Sequence, residues 1–364
     1  MEPSRSSGRR RMWLGALLAL ALGLGAIGGP APARAQMPAG QGFYVRVNFQ
    51  PSRSWLPAGY TGSTDHVADI GLAYGARGNG YTFGWNQDST ANTRDRDVLA
   101  PDATSPNSPA QENDTLILMQ RNGSRTWEIA VPDGMYHVIM YSEDPSYTDS
   151  VYNTLIEGQA ATNRVPGGPI SPEGAVDVRV SDGKLTVSNG PQAFNNKINW
   201  IEITQLFHAK INFQPAGTPL AAGYLPDYGY VYGPRGNGYT YGWSVDNRRN
   251  TRDRNRVGDQ RYDTLALTQL YGAASWEIAA PQGQFTVRIV AGDPAYTDSA
   301  YKFIIEDSYL AVDGAPTAAN HWVEGTVEYV QIFESDGRLT ISNAAGSVNN
   351  KIAFVEIQQT GVGR

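Results

Sequence analysis

The sequence predicts an all-β protein with two tandem antiparallel domains, each a sandwich or a barrel. One observation is a long internal repeat, whose segments return in the same order. Another is the spacing of apolar residues, which recur with period 2 between Gly, Pro, Asn and Asp. Finally, no stretch after the N-terminal segment keeps helical spacing for long. Together these patterns are typical of many short strands joined by turns.

The repeat defines two domains. The first repeat covers residues 43–204 and the second covers 208–359, so only 205–207 lie between them. A connection this short predicts a fixed arrangement rather than a flexible tether. The matching segments are 48–51 and 212–215, 77–85 and 235–243, 92–96 and 250–254, 144–152 and 293–301, 181–189 and 335–343, and 195–198 and 349–352.

Differences in spacing between the repeats predict the loops. The first repeat is longer by 6 residues before Tyr74 and by 9 between Arg96 and Asp114. The second repeat is longer by 5 residues in the segment that corresponds to 157–181. Length changes are tolerated in surface connections, so all three are expected there. The segment 100–114, rich in Pro, Ser, Asn and Asp, is expected to be an irregular loop.

The strands are expected where apolar residues alternate. These stretches are 43–49, 127–131, 197–203 and 286–290. Asp182-Gly183 and Asp336-Gly337 each stand between two short alternating stretches, which predicts β-hairpins.

The N-terminus predicts export. Residues 1–35 combine a basic start, an apolar run at 14–27 and a small-residue cleavage site at Ala33-Arg34-Ala35, as in a secretory signal peptide. Arg10-Arg11 also fits a twin-arginine signal, which stays an alternative to the ordinary route. The apolar run is shorter than the ~20 residues that span a bilayer, so no membrane span is expected. A secreted or cell-surface location follows.

Charge and cysteine content exclude several classes. The chain of 364 residues has a net charge of −6, and its first 35 residues carry +4, so the remainder carries −10. An acidic protein lacks the basic footprint that nucleic-acid binding needs. The absence of cysteine excludes disulfides, so stability must come from packing.

The second half of each repeat resembles the malectin-like branch of the galactose-binding jelly rolls. The resemblance rests first on residues 134–144 and 283–293, where a strand ends in an acidic turn that is followed by an aromatic loop. It rests also on the segments SDGKLTVSN and FNNKINWIEI near the end of the first repeat. It implies a jelly-roll β-sandwich for each repeat. It also implies carbohydrate binding by loop aromatics and polar groups at one end of the sandwich.

The resemblance also implies site residues. The loop aromatics would be Tyr147 and Tyr296, and the polar residues before the last strand would be Asn195-Asn196 and Asn349-Asn350. The malectin member has an acidic residue where Asn195 and Asn349 stand, so its sugar preference does not transfer. Early-loop aromatics would be Tyr74 and Tyr232. Asp149 and Asp298 lie beside the loop tyrosines and could bind sugar hydroxyls or cap the local backbone.

Other repeated motifs favour structural roles. Gly78, Gly80 and Gly84 lack the spacing of a phosphate loop and are expected to hold special backbone angles. Trp85, Trp127, Trp243 and Trp276 are expected in the core. Arg94 and Asp95 are expected in an ion-pair lattice. No cofactor is expected to be required, while one structural calcium ion per repeat stays an alternative without identifiable ligands.

The sequence does not favour catalysis. None of the four histidines recurs in both repeats, and no G-x-S-x-G motif is present. We therefore expect an exported, non-catalytic protein that binds cell-wall or extracellular polysaccharide. One alternative is a structural or adhesive surface protein that uses the sandwiches for protein contacts. Another is an enzyme, or an accessory part of one, such as a polysaccharide lyase or esterase.

Overall fold

A computed structural model describes residue 1 and residues 42–98, 111–168, 173–333 and 337–363. The predicted signal peptide, most of the loop at 100–114, and Asp336 of the second predicted hairpin lie outside the described residues. The last four residues of that loop form a short helix, α1 (Gln111–Asp114), instead of irregular structure.

The first repeat forms two main sheets. Its strands are β1 (Tyr44–Phe49), β2 (His66–Asp69), β3 (Gly75–Ala76), β4 (Thr82–Trp85), β5 (Thr93–Asp95), β6 (Thr115–Leu118), β7 (Trp127–Ala130), β8 (Gly134–Tyr141), β9 (Val151–Tyr152), β10 (Thr154–Ile156), β11 (Gln159–Ala160), β12 (Val165–Pro166), β13 (Glu173–Val180), β14 (Lys184–Asn189), β15 (Lys197–Ile198) and β16 (Trp200–Gln205). One main sheet has the order β13-β8-β16-β1-β2, and the other has the order β11-β10-β14-β7-β4-β3. Two small sheets, β12-β9 and β15-β6-β5, adjoin them.

The second repeat has the corresponding pair of sheets. Its elements are β17 (His208–Phe213), β18 (Leu225–Asp227), β19 (Gly233–Pro234), β20 (Thr240–Trp243), β21 (Thr251–Asp253), α2 (Gln260–Asp263), β22 (Thr264–Leu267), β23 (Trp276–Ala279), β24 (Gly283–Gly292), β25 (Tyr301–Ile305), β26 (Tyr309–Gly314), β27 (Trp322–Ile332), β28 (Arg338–Asn343) and β29 (Lys351–Val362). The first sheet runs β18-β17-β29-β22-β21, with β24 paired to both β29 and β27. The second runs β19-β20-β23-β28-β25-β26.

Alternating burial produces the core, as the period-2 pattern predicts. In β1, Val45 and Val47 are fully buried and point between the sheets, while Tyr44 and Arg46 are half-buried. One apolar cluster contains residues between 45 and 203, and another contains residues between 207 and 357. The all-β class is confirmed.

The pairing differs from the sequence prediction in one respect. In the described residues, β1 and β2 pair in parallel, as do β17 and β18, whereas the other strand ladders are antiparallel. The long connection between β1 and β2, which contains no strand, allows this arrangement. It also contains the six residues that the second repeat lacks, as expected.

The hairpin predicted at Asp182-Gly183 is wrong. β13 pairs with β8 in one main sheet, whereas β14 pairs with β7 and β10 in the other. The turn therefore carries the chain from one sheet to the other. Gly183 has a φ of 80°, the left-handed conformation that made the local signal look like a hairpin.

The extra length of the second repeat also differs from its prediction. The longer segment is mostly strand, since β26 has 6 residues and β27 has 11. The corresponding strands β11 and β13 have 2 and 8 residues. The insertion therefore enlarges a sheet edge rather than a loop.

A buried carboxylate holds two tryptophans in the core of the first repeat. Asp69 accepts hydrogen bonds from Nε1 of Trp85 at 3.0 Å and Nε1 of Trp127 at 2.9 Å, and from the backbone of Gly71 at 2.7 Å. Burial raises the pKa of Asp69 in spite of these donors. Both tryptophans are fully buried, so their predicted core placement is confirmed.

The second repeat builds the same cluster. Asp227 accepts from Trp243 at 2.8 Å, Trp276 at 2.9 Å and the backbone of Gly229 at 2.7 Å, and burial likewise raises its pKa. The recurrence of this buried cluster in both repeats indicates a scaffold role.

The connection between the repeats is short and buried. Leu206 donates its backbone N–H to Met135 of the first repeat at 2.8 Å. Phe207 packs in the core of the second repeat and exchanges hydrogen bonds with Gln359. Such contacts at both ends favour a fixed connection.

Candidate functional site

The tyrosine loop of the first repeat, residues 144–150, follows β8 and begins with a turn made by Asp144. The Asp144 carboxylate accepts the backbone N–H of Ser146 at 3.1 Å, and its carbonyl accepts the N–H of Tyr147 at 3.1 Å. In the second repeat, Asp293 bonds the backbone of Ala295 at 2.9 Å and of Tyr296 at 3.3 Å. The expected turn role of both aspartates is confirmed.

Beneath this loop lies a buried ionic network. Arg96 donates Nε and Nη2 to the two carboxylate oxygens of Asp144, at 2.9 and 2.6 Å. Lys197, whose side chain is 1% exposed, lies 3.4 Å from Asp144 and donates to Ser150 at 2.7 Å. Its Nζ is also 3.6 Å from the exposed carboxylate of Asp149. The network therefore reaches from the core to the surface of the loop.

The second repeat reproduces this network with one change. Arg254 forms the same two hydrogen bonds with Asp293, at 2.9 and 2.6 Å. Lys351 lies 3.7 Å from Asp293 but donates directly to Asp298 at 2.9 Å and to Ser299 at 3.0 Å. This lysine contact lowers the pKa of Asp298.

Each loop tyrosine is exposed but held in place. The Arg96 guanidinium lies 4.8 Å from the ring centre of Tyr147, and 55% of that tyrosine is exposed. Arg254 lies 4.9 Å from the ring of Tyr296, which is 52% exposed. Because a buried aspartate fixes each arginine, the cation–π contact orients a solvent-accessible ring.

Asn195 contacts the tyrosine loop through its side chain and its backbone. Its Nδ2 donates to Asp149 at 2.9 Å, and its backbone carbonyl accepts from Ser150 at 3.0 Å. Asn349 carries out the backbone role in the second repeat, accepting from Ser299 at 2.9 Å. Both asparagines have φ near 50°, a left-handed conformation that asparagine tolerates well.

Asn196 and Asn350 face the interior instead. Asn196 is fully buried and donates to the Asn153 carbonyl and to Thr154, at 3.2 and 3.0 Å. Asn350, also buried, donates to the Lys302 carbonyl at 2.8 Å. The structure thus places these two predicted site residues in the scaffold, where each amide satisfies a backbone carbonyl of the interior.

Tyr74 and Tyr232 lie on another surface. Lys184 of β14 lies 4.6 Å from the ring of Tyr74, and Arg338 of β28 lies 4.0 Å from the ring of Tyr232. These contacts belong to the outer face of the second sheet in each repeat, whereas the loop tyrosines contact Arg96 and Arg254. The early-loop aromatics and the loop tyrosines therefore form separate surfaces.

Sequence reasoning missed the charged residues of the network. Arg96 and Lys197, with Arg254 and Lys351, belong to the repeated NTRDR and NNKI segments. Because these residues recur in both repeats, they could have been found from the sequence. The sequence instead predicted ion pairs for Arg94. Arg94 instead donates to the backbone carbonyls of Ala91 and Thr93.

Two other features bear on the predictions. Among the described residues, no group of three or more His, Asp or Glu side chains is placed to hold a metal ion. The calcium alternative therefore stays a prediction without named ligands. In the same residues, no helix has the length and apolar character needed to cross a membrane.

Comparisons with known proteins found distant structural similarities. No family model and no curated protein matches the chain. A chain from the crystal structure of plant peptide RALF23 in complex with FER and LLG2 is 14% identical, with a TM-score of 0.31 over 88% of this chain and 96% of that one. Beta-glucuronidase 2 of Bacteroides uniformis is 12% identical, with a TM-score of 0.29 over 64% of this chain and 27% of that one.

A second bacterial protein also shows a distant similarity. Protein YXIM of Bacillus subtilis is 16% identical, with a TM-score of 0.29, and the match covers 43% of this chain and 40% of that one. The chain thus spans well under half the length of YXIM.

Proposed function

We propose that this protein is an exported, non-catalytic carbohydrate-binding protein that recognises cell-wall or extracellular polysaccharide through the tyrosine loop of each repeat. The supporting observation is the exposed tyrosine held over a buried arginine–aspartate–lysine network in both repeats. Export is part of the proposal and rests on the sequence of residues 1–35.

The geometry suits a sugar ring. An aromatic face packs against the apolar C–H face of a pyranose, and more than half of Tyr147 and of Tyr296 is exposed for that contact. Asp149 and Asp298, with side chains 58% and 59% exposed, supply acceptors for sugar hydroxyls beside the rings. Because the network fixes the rings beforehand, little conformational entropy is lost on binding.

Two sites on one chain suit a polymer. Each site alone would bind weakly, since one aromatic contact contributes about 1 kcal/mol. When both sites engage one polysaccharide, the second contact becomes intramolecular and the overall affinity rises. The short buried connection at Leu206 and Phe207 favours a constant spacing between the sites.

A retention assay on insoluble and gel-embedded polysaccharides tests the proposal. We expect wild-type protein lacking residues 1–35 to be retained, and Tyr147→Ala with Tyr296→Ala to elute with the unbound fraction. Each single variant should bind roughly fivefold more weakly. Tyr271→Ala is the matched control, because Tyr271 is 81% exposed and lies outside both loops.

Several outcomes would contradict the proposal. Folded wild-type protein that no polysaccharide retains would overturn it. Concentration-dependent assembly without any effect of sugar would favour an adhesive protein instead. Release of reducing ends or acetate from the retained polysaccharide would show an enzyme.

A further inference from the structure

A cleft in the second repeat lies outside both proposed sites. Its volume is about 510 Å³, within the size range of small-molecule sites. It lies where the end of β24 meets the connection from β26 to β27, beside α2. Its walls combine aromatic, aliphatic and polar side chains, among them Tyr262, Val290, Thr317, Asn320, Trp322 and Glu324.

Two small residues of β24 make room for this cleft. In the spacing shared by the repeats, Val290 and Gly292 correspond to Tyr141 and Glu143 of the first repeat. Tyr141 lies parallel to the ring of Trp200, with centres 5.7 Å apart, and donates its hydroxyl to Glu143. Tyr141 and Glu143 thus cover this part of the sheet in the first repeat, whereas Trp322 and Tyr262 pack over Val290 in the second.

Gly292 determines where Trp322, the largest side chain that lines the cleft, can pack. A Cβ at Gly292 would lie 2.1 Å from Cδ1 of Trp322, so the indole packs directly on the glycine backbone. Tyr262 holds the indole from the side, with an edge-to-face contact at 5.3 Å. Asn320 fixes its backbone by accepting the Trp322 N–H at 3.1 Å. Trp322 is thus a preformed aromatic surface.

The ring of Trp322, rather than its N–H group, is the part that a ligand could contact. Nε1 is buried and would lie 2.9 Å from a Cβ at Gly292, so this edge of the indole faces the glycine. Thr317, Asn320 and Glu324 add hydroxyl, amide and carboxylate groups to the same cleft. Such a mixture of ring surface and hydroxyl partners is suited to a saccharide.

The cleft adjoins the tyrosine loop in the sequence and through one hydrogen bond. β24 ends at Gly292, and the next residue is Asp293, which anchors the network under Tyr296. His321, the residue before Trp322, bonds the Asp293 carbonyl through Nδ1 at 3.0 Å. On this basis we expect a chain of sugar units bound at Tyr296 to extend toward Trp322.

We propose that this cleft is a second saccharide subsite, so that the second repeat binds an oligosaccharide across Tyr296 and Trp322 while the first repeat binds a shorter unit. The inference rests on the proposed function and specifies its ligand. We expect a neutral saccharide at the cleft, because Glu324, the charged residue of its lining, is already paired with Arg288 at 2.5 Å.

Calorimetric titration with graded oligosaccharides tests the subsite. The probes are a neutral glucan ladder and a polygalacturonate ladder, each from monosaccharide to hexasaccharide, titrated into the chain without residues 1–35. We expect wild-type affinity to rise with the length of the neutral ladder. Trp322→Ala should remove that rise, with a loss of roughly tenfold for the hexasaccharide, while monosaccharide affinity is unchanged.

Two further variants keep the result interpretable. Trp55→Ala removes a tryptophan of the first repeat that is 48% exposed and should change nothing. Trp322→Phe retains a ring against Gly292 and should give an intermediate loss if Trp322→Ala fails to fold.

The outcomes separate the two proposals. Equal losses at every length, no loss, or a preference for polygalacturonate dependent on Trp322 would overturn the subsite and leave the proposed function standing. No binding of either ladder by wild-type protein, together with no retention on any polysaccharide, would overturn both. Loss in Trp322→Ala without loss in Tyr296→Ala would support the cleft and remove the loop from the site.

Discussion

The two repeats agree at the tyrosine loop and differ on the neighbouring sheet face. Arg96 and Arg254 form the same paired hydrogen bonds with an aspartate, at 2.9 and 2.6 Å in both repeats. On the sheet face, Tyr141 stacks on Trp200 in the first repeat, whereas the second repeat has a cleft. This contrast teaches that the loop network can be kept while the adjacent surface changes.

The physical reason lies in burial. The loop network contains charges that are almost inaccessible to water, and removing one partner leaves the others unpaired at high cost. On the sheet face, Tyr141, Trp200 and Val290 are buried but uncharged, so large and small residues can replace one another there with moderate losses of stability. The shared network is therefore constrained by stability as well as by any ligand.

Removing the central aspartate is expected to have the largest effect. Asp144→Ala leaves Arg96 and the 1% exposed Lys197 without their buried partner, so we expect a loss of about 3–5 kcal/mol in the free energy of unfolding. Asp293→Ala should cost a similar amount in the second repeat. Urea unfolding of the full chain, followed by tryptophan fluorescence, measures both losses.

Asp149→Ala provides the control for this network. Its carboxylate is 58% exposed and lies 3.6 Å from Lys197, so its removal should cost under about 1 kcal/mol. If Asp144→Ala were as mild as this control, the buried network would not be what holds the loop.

The second prediction concerns the face on which the repeats differ. Gly292→Ala places a methyl group where Trp322 packs, and the resulting displacement should cost about 1–3 kcal/mol. It should also weaken binding of long neutral oligosaccharides. Gly258→Ala is the control, because nothing lies within 4 Å of its Cβ position, and its stability should stay within about 0.5 kcal/mol of wild type. Equal stability of the two variants would show that Trp322 does not depend on the glycine.

Sequence patterns predicted the class of the fold and the loop, but not its charged support. Period-2 burial is a local property, so the all-β class could be inferred from neighbouring residues. The partnership of Arg96, Asp144 and Lys197 joins three distant segments, and no local pattern specifies it. The motifs that contain these residues were nonetheless visible as repeats.

Two errors have the same local origin. Gly183 has the positive φ that is common in hairpin turns. A turn signal in the sequence, however, does not say whether the next strand joins the same sheet. Asn195 and Asn196 were predicted as a pair, although adjacency in the sequence does not say that two side chains share a face, least of all where the backbone turns at Asn195. Asn195 reaches Asp149, and Asn196 is buried in the scaffold.

The smallest expected effect on stability concerns the lysine–aspartate contacts at the loop surface, which differ between the repeats. Lys351 donates to Asp298 at 2.9 Å, whereas Lys197 is 3.6 Å from Asp149. The contact lowers the pKa of Asp298 below its unfolded value, so its stabilising contribution is present above the unfolded pKa. That contribution is lost as the pH falls through the folded pKa. Because the carboxylate is 59% exposed, it should stay under about 1 kcal/mol.

Asp298→Asn should therefore lower stability near neutral pH, and the difference from wild type should shrink below the ordinary carboxyl pKa of about 3.9. Asp149→Asn in the first repeat should have a smaller effect, because its contact with lysine is longer. Denaturant unfolding at a series of pH values measures both variants. A difference for Asp298→Asn that stayed constant across the acidic range would mean that packing or hydrogen bonding, rather than the charge on Asp298, stabilises this edge of the loop.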